Sequence, residues 1–187
     1  MSVNTTRRRG DTRERIQGVA LERFTVNGYD QTSLREIAED LGVSKAALYH
    51  HFKTKEEILD SLLGQVSEEI DALVSWMQAG DATPERQLEM LRRLSKVTRG
   101  TGGGVMQCVQ QNEVALNNLG PTTDLVHQMK ERLWEASLPA DATVEKRLRV
   151  RLAVMAVLVA NKPSSDLGGT SDERAEAALA IAADLVS

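Results

Sequence analysis

The sequence has very few residues of the kinds that form covalent crosslinks or stacked aromatic surfaces. Among its 187 residues there is one cysteine, there are four prolines, and aromatic side chains make up 3%. Cys108 has no second thiol in the chain with which to form an internal disulfide. So few aromatic rings argue against a platform for single-stranded nucleic acid, on which successive bases stack.

Long hydrophobic runs are also scarce. The longest, LAVMAVLVA from Leu152 to Ala160, is well short of the ~20 apolar residues that a membrane-spanning helix requires. The N-terminal stretch MSVNTTRRRGDTRER has arginines but not the apolar segment of a secretory signal. We therefore expect a cytoplasmic protein that has no membrane partner.

Helical spacing, by contrast, runs through almost the whole chain. The content of 41% hydrophobic and 27% charged residues is ordinary for a globular protein. Apolar residues recur at helical intervals, and no stretch alternates apolar and polar residues long enough to indicate a strand. The sequence therefore predicts an all-α fold.

The N-terminal part has the start and stop signals of three helices. A first helix is predicted from about Asp11, and Gly28 ends it because glycine adopts the left-handed conformation of a helix stop. Ser33 has capping-box spacing for a second helix, and Ser44 is placed to cap a third. Two short helices around a turn that contains Gly42 form a helix-turn-helix.

The rest of the chain is predicted to form a larger helical domain. A long amphipathic helix from about 54 to 77 is suited to link two modules and to act as a lever. Further helices are predicted at about 84 to 98, 105 to 118, 122 to 137, 142 to 161 and 171 to 186. The run RGTGGG, from Arg99 to Gly104, predicts a flexible helix break with the potential to act as a hinge. The predicted domains cover residues 1–56 and 57–187.

The third helix presents a polar, shallow face. At about 100° per residue, one arc of about 140° contains Lys45, Ala46, Tyr49 and His50. Leu48 points away from this arc, toward the core. Such a face fits the major groove of DNA, and Lys55 at the start of the next helix is placed to hold a phosphate. An ordinary solvated helix face is the alternative interpretation.

The segment TSLREIAEDLGVSKAALYHHFKTKEEIL, from Thr32 to Leu59, resembles the DNA-binding signature of the tetracycline-repressor (TetR) family of regulators. The matching positions are Gly42, Val43, Leu48, Tyr49, Phe52 and Lys55. The resemblance implies that bases are approached by Lys45, Ala46 and Ala47, and that Tyr49 and Lys55 hold phosphates. The full set of predicted DNA-binding residues is Thr32, Ser33, Arg35, Ser44, Lys45, Ala46, Ala47, Tyr49, His50 and Lys55.

Two further features bear on DNA binding. Arg7, Arg8 and Arg9 are predicted to form a flexible arm that enters a neighbouring minor groove. The first sixty residues hold ten Lys or Arg and ten Asp or Glu, so the module is not basic overall. The family often has Gly at position 46 and a small polar residue at position 47, so this chain is expected to make fewer direct hydrogen bonds to bases.

The C-terminal domain is predicted to bind a ligand. A mainly apolar pocket with a few polar groups is one interpretation of its helices, and a methionine-containing core with surface amides is the other. The predicted lining residues are Met90, Leu94, Met106, Val109, Gln110, Glu113, Met129, Leu133 and Trp134.

The last two helices are predicted to form a dimer interface. The first is apolar nearly all round after Arg151 and the second is rich in alanine, so both need cover on several sides. Pairing with the same helices of a second copy makes a four-helix interface, and the resemblance also implies a homodimer. The predicted interface residues are Leu152, Met155, Leu158, Val159, Ala178, Ala182 and Leu185.

No constellation of residues indicates catalysis or metal binding. His50 and His51 point about 100° apart and have no ligand partner four residues on. Cys108 and His127 have no orienting third group, so we expect no enzyme activity, metal or cofactor.

The sequence thus predicts a homodimeric repressor that binds double-stranded operator DNA and is released from it by an unknown small-molecule effector. Three alternatives stay open. These are a helix-turn-helix that binds another protein and has no specific operator, an activator of transcription, and an enzyme built in the C-terminal helices.

Overall fold

The computed structural model describes residues 3–116, 121–161 and 166–187, with the side chains of residues 3–10 and 121–123 left out of the description. Within these ranges the chain forms ten α-helices and no β-strand, which confirms the all-α prediction. The helices are α1 (Val3–Val26), α2 (Leu34–Leu41), α3 (Lys45–His51), α4 (Lys55–Gln78), α5 (Pro84–Arg99), α6 (Thr101–Gln111), α7 (Glu113–Leu116), α8 (Pro121–Ala136), α9 (Val144–Ala160) and α10 (Ser171–Val186).

Helix α1 begins earlier than the sequence indicated. It starts at Val3, so the predicted start near Asp11 is wrong. A capping residue is needed only where backbone N–H groups lack partners, and a preceding helical turn supplies those partners. The backbone of Arg7, Arg8 and Arg9 is therefore helical and not a flexible arm, and their side chains lie outside the description. The predicted end of the sixth helix at residue 118 also lies outside the described residues.

The glycine run near residue 100 is mostly helical, contrary to the predicted flexible break. The interruption is confined to Gly100, and Gly102, Gly103 and Gly104 belong to α6. A Cβ atom added at Gly103 would overlap the carbonyl oxygen of Thr98, and one at Gly102 would lie 2.8 Å from the carbonyl oxygen of Val97. The glycines therefore allow close packing of backbone at the α5–α6 turn.

The chain divides into two compact units. The first comprises Met1–Gly64 and Val105–Thr122, and the second comprises Gln65–Gly104 and Thr123–Ser187. The predicted functional boundary after residue 56 stays a prediction. Buried side chains of the first unit include Ile16, Phe24, Ile37, Leu48, Phe52 and Leu59. In the second unit α9 packs along α10, and α5 packs against both.

None of the helices in the described ranges is long and apolar enough to cross a membrane.

Two glycine substitutions are expected to have opposite effects on stability. In Gly103→Ala the added methyl group collides with backbone, so we expect a loss of about 1–3 kcal/mol in the free energy of unfolding. In Gly64→Ala, within α4, the added Cβ meets nothing within 4 Å. We expect that variant to gain about 0.5–1 kcal/mol, because alanine is the better helix former. Urea denaturation followed by circular dichroism measures both, and equal effects of the two variants would contradict the packing role of Gly103.

Candidate nucleic-acid interface

The helix-turn-helix formed by α2 and α3 is fixed by three local hydrogen-bonding and backbone features. Ser33 and Glu36 form a complete capping box, in which the Ser33 N–H donates to the Glu36 carboxylate at 2.8 Å. Gly42 ends α2 with φ +64°, a left-handed conformation that strains other residues. Ser44 Oγ then accepts the N–H of Ala47 at 3.2 Å and begins α3. The sequence signals for this helix-turn-helix are confirmed.

Helix α3 turns one apolar residue inward and its polar residues outward. Leu48 is fully buried, whereas Lys45, Ala46, Ala47 and His50 are exposed and Tyr49 is partly exposed. This is the orientation that the helical spacing predicted. We call the surface formed by Lys45, Ala46, Ala47, Tyr49 and His50 the α3 face.

Helix α1 holds the end of α3 through Arg13. Its guanidinium lies 4.1 Å from the centroid of the Phe52 ring and donates to the carbonyl oxygen of His51 at 3.4 Å and to Ser61 Oγ at 2.8 Å. The carbonyl of His51 is one of the last-turn groups that have no partner within a helix. Sequence reasoning missed Arg13, because nothing local marks a residue that contacts another 38 positions later.

Helix α1 also holds α2, through Arg23. Its guanidinium forms a two-pronged ion pair with Asp40, at 2.5 Å and 2.7 Å, and lies 3.4 Å from Glu36. The hydrogen bond from Arg23 lowers the pKa of Asp40, and hydrogen bonds from Ser33 lower the pKa of Glu36. These carboxylates of α2 are thus occupied in holding the helices together.

Two lysines lie beside Tyr49 of the α3 face. Lys45 Nζ lies 5.4 Å from the centroid of the Tyr49 ring, and Lys53 Nζ donates to the carbonyl oxygen of Tyr49 at 2.7 Å. Lys53 is exposed and was not among the predicted residues. Its spacing of four residues from Tyr49 was the available signal. Two ammonium groups therefore lie beside Tyr49, and the carboxylate of Glu57 accepts the backbone N–H of Lys53 at 2.6 Å.

Three predicted residues of α2 and its approach differ in exposure. Ser33 and Arg35 are exposed, and Arg35 forms an ion pair with Glu39 at 2.7 Å. Thr32 is 2% exposed, and its hydroxyl donates to the carbonyl oxygen of Gly28 at 2.9 Å. The structure thus places Thr32 inside the module, where it stabilises the turn before α2.

Lys55 is partly buried at the start of α4. Its ammonium donates to the carbonyl oxygen of Tyr29 at 2.8 Å and lies 4.3 Å from the centroid of the Tyr29 ring. An ammonium group has three N–H donors, so two are left for other partners. Lys55 is therefore both a tether to Tyr29 and a cation at a helix N-terminus.

The predicted ligand-binding residues divide between the two compact units. Met90, Leu94, Met129 and Leu133 are buried in the second unit, where Trp134 lies beneath the guanidinium of Arg151 at 4.8 Å. The residues in the first unit are the partly exposed Met106 and Val109 and the exposed Gln110 and Glu113.

The second unit also has a groove of about 590 Å³ at the C-terminal ends of α4 and α8. Other residues line it, namely Met77, Gln78, Gly80, Asp81, Ala82, Thr83, Glu135, Ala136, Leu138, Pro139 and Ala140. Within the part of the chain that is described, no group of three or more His, Cys, Asp and Glu side chains has the arrangement to hold a metal ion.

The predicted interface residues also separate into two groups. Ala178 and Ala182 are buried by their own chain, and Leu158 and Leu185 are partly exposed. Four large exposed side chains form a row on α9, which we call the α9 stripe. It consists of Leu148, Leu152, Met155 and Val159, exposed by 57%, 48%, 45% and 42%. Leu148 and the exposed Ile181 of α10 were not predicted.

Comparison with known proteins places the likeness in sequence at the N-terminal helices. Residues 16–62 match the family model described as bacterial regulatory proteins, tetR family. The regulator AcrR of Shigella flexneri is 39% identical over 62 residues, which cover 33% of this chain and 29% of AcrR. The transcriptional repressor KstR2 of Mycolicibacterium smegmatis is 32% identical over 63 residues, covering 34% and 31%. The matched part thus spans about three tenths of these relatives.

Likeness in structure extends over nearly the whole chain. The ketosteroid transcriptional regulator KstR2 of Mycobacterium tuberculosis superposes with a TM-score of 0.70 at 20% identity, covering 96% of this chain and 95% of KstR2. AmtR of Mycobacterium smegmatis gives a TM-score of 0.63 at 27% identity, covering 91% and 86%. At 20% identity, the likeness to KstR2 shows a shared fold and no more.

Proposed function

We propose that the chain is a TetR-type, sequence-specific DNA-binding repressor that acts as a homodimer and is released by a small-molecule effector. The proposal is supported by the match of residues 16–62 to the tetR family model and by the fold that nearly the whole chain shares with such regulators. The observation that supports this most directly is the α3 face. Its exposed residues project from a helix whose one buried side chain, Leu48, fixes the orientation.

The α3 face offers few side chains that can form hydrogen bonds with bases in a major groove. Lys45 is suited to donate to guanine O6 or N7, and the methyl groups of Ala46 and Ala47 are suited to contact thymine methyl groups. His50 has ring nitrogens that suit either a base edge or a phosphate. With one lysine and two alanines in the central positions, direct hydrogen bonds to bases are few, and apolar contact supplies part of the selectivity.

Phosphate contacts are proposed around this reading surface. Tyr49 and Lys53 lie at one side of it, and Lys55 offers two free N–H donors at the N-terminus of α4. Ser33 and Arg35 are exposed at the N-terminus of α2, where the helix dipole favours an anion. Such contacts fix the register of a protein on DNA and make affinity depend on salt.

The proposed dimer uses the α9 stripe. Its members are spaced by four, three and four residues, so they form one row along the helix. A row of this kind is self-complementary across a two-fold axis. A dimer of this type presents two recognition helices to major grooves about 34 Å apart on a palindromic operator.

The proposed effector site lies in the second unit. Met90, Leu91 and Leu94 of α5 are buried there, and the amide nitrogen of Gln87 donates to the carbonyl oxygen of Ser137 at 2.7 Å. Gln87 Oε1 and Trp134 Nε1 are buried and have no hydrogen-bond partner among the described residues. A bound molecule that donates to Gln87 Oε1 or accepts from Trp134 Nε1 would supply a missing partner. Such a ligand releases DNA by binding more tightly to the state that does not bind DNA.

The DNA contacts are tested by two lysine substitutions. Duplexes selected from a random library by the purified protein provide the probe, and fluorescence anisotropy at several salt concentrations gives the affinity. Lys55→Ala is expected to weaken binding to all duplexes and to reduce the salt slope by about one unit. Lys45→Ala is expected to change the preference at particular base pairs, by about 1–3 kcal/mol. The exposed Lys130 of α8 gives the control Lys130→Ala, for which neither quantity should change. Weak binding without sequence preference by the unaltered protein would favour a protein-interaction module.

The dimer is tested by placing a charge in the α9 stripe. Leu152→Glu places a carboxylate without a partner in the apolar surface of each copy, so we expect the dimer to dissociate at concentrations where the unaltered protein stays dimeric. Sedimentation velocity measures the change. Val114→Glu is the matched control, because Val114 is 86% exposed on α7, outside the stripe. A Leu152→Glu protein that remains dimeric would show that the interface lies elsewhere.

The effector site is tested through tryptophan emission. The chain has two tryptophans, so Trp76→Phe leaves Trp134 as the only one. A compound that releases the duplex is expected to shift the emission of Trp134 in this variant. Gln87→Leu should weaken the binding of that compound by about 1–3 kcal/mol, because a buried polar group of the ligand loses its partner. A compound that releases DNA with neither effect binds at another site.

A further inference from the structure

Asn112 is a buried amide at the junction of α6 and α7, and all its hydrogen-bonding groups are occupied. Its side chain is part of a residue that is 8% exposed. The Oδ1 atom accepts the backbone N–H of Tyr29 at 2.7 Å, and Nδ2 donates to the carbonyl oxygens of Phe24 at 3.0 Å and Cys108 at 2.8 Å. One amide therefore joins its own helix to the end of α1 and to the turn that follows.

The two distant bonds of Asn112 complete the C-terminus of α1. Phe24 belongs to the last turn of α1, whose carbonyl groups have no further N–H donors within the helix. Asn112 Nδ2 supplies a donor from 88 positions away in the sequence. The chain then turns through Gly28 with φ +93°, where an added Cβ would lie 3.7 Å from Asn112 Oδ1.

Both main-chain groups of Tyr29 form hydrogen bonds with side chains. Its N–H is held by Asn112, and its carbonyl oxygen is held by the ammonium of Lys55. Its ring packs at 5.0 Å from the ring of Phe24 and at 4.3 Å from Lys55 Nζ. Tyr29 therefore connects the α6–α7 junction with the first residue of α4, directly after the recognition helix.

We propose that Asn112 is a positioning residue for DNA binding, which sets the place of Lys55 through Tyr29 and makes phosphate contact depend on the α6–α7 junction. This inference rests on the proposed function and gives it a regulatory route. The bond from Asn112 to Cys108 lies within one helical turn, so it survives a shift of α6. The bonds to Phe24 and Tyr29 join separate segments, so a shift of α6 that left the turn at Tyr29 in place would break them. Because it is costly for buried polar groups to lose their partners, a displacement of the α6–α7 junction is expected to move the turn at Tyr29 with it.

The first test measures amide hydrogen exchange at Tyr29 in the full-length protein and needs no DNA. The unaltered protein is expected to show slow exchange at this turn position, and Asn112→Ala is expected to accelerate it by about tenfold or more, since a buried bond is lost. Asn161→Ala is the matched control. Asn161 Nδ2 also bonds a carbonyl four residues earlier, that of Val157, and a distant group, Thr98 Oγ1, but in the second unit. Fast exchange at Tyr29 in the unaltered protein, or no change in Asn112→Ala, overturns the proposal.

The second test is a double-mutant cycle on affinity for a duplex selected by the unaltered protein. Asn112→Ala is expected to weaken binding by about 5- to 30-fold, the effect of 1–2 kcal/mol, and Asn161→Ala to leave it unchanged. If Asn112 acts through Lys55, Asn112→Ala combined with Lys55→Ala binds no more weakly than Lys55→Ala alone. Losses that add would show that Asn112 acts independently of Lys55, and that result overturns the proposal.

Two provisions keep the outcomes separate. If Asn112→Ala does not fold, as judged by circular dichroism, the smaller polar change Asn112→Ser replaces it in both tests. If the unaltered protein selects no duplex, the proposed function fails, while exchange at Tyr29 still decides whether Asn112 holds the turn.

Discussion

The functional surface depends on how a very short helix is held in place. Helix α3 has seven residues, far fewer than the roughly 12–15 at which an isolated helix becomes even marginally stable. Its orientation therefore comes from tertiary contacts. Leu48 is buried on one side, Phe52 is buried just beyond its C-terminus, and Arg13 of α1 covers Phe52 and satisfies the carbonyl of His51. Any face that α3 offers to DNA is set by these few contacts and by its packing against α2.

Charge placement matters more than net charge in this module. The first sixty residues balance ten basic against ten acidic side chains, so the module as a whole does not attract an anion. The carboxylates of Glu36 and Asp40 face Arg23, where they join α1 to α2. The cations of Lys45 and Lys53 lie instead beside Tyr49. Pairing within the fold thus engages the carboxylates of Glu36 and Asp40 with Arg23, while two lysine ammonium groups lie at the edge of α3.

Local signals in the sequence predicted the helix-turn-helix well and its long-range contacts poorly. Ser33, Gly42 and Ser44 act on backbone groups within a few residues, so their roles follow from spacing alone. A capping pattern permits a helix start without requiring one, which is why the start of α1 was misplaced. The bonds of Asn112 to Phe24 and Tyr29 span 88 and 83 positions. No periodicity or propensity reports such pairings, since they exist only once the helices have packed.

The exposed face of α9 is a second feature that spacing in the sequence did not predict. Its sequence is apolar on nearly all faces, so spacing did not reveal which face its own chain covers. The small residues Ala178 and Ala182 of α10 are buried, which permits close approach of the two helices. Packing inside the second unit is thereby complete without the larger side chains of Leu148, Leu152 and Met155, which stay exposed. Intrachain packing leaves apolar surface on α9 and two lysines beside α3, and the proposed dimer and the proposed DNA contacts rest on these two features.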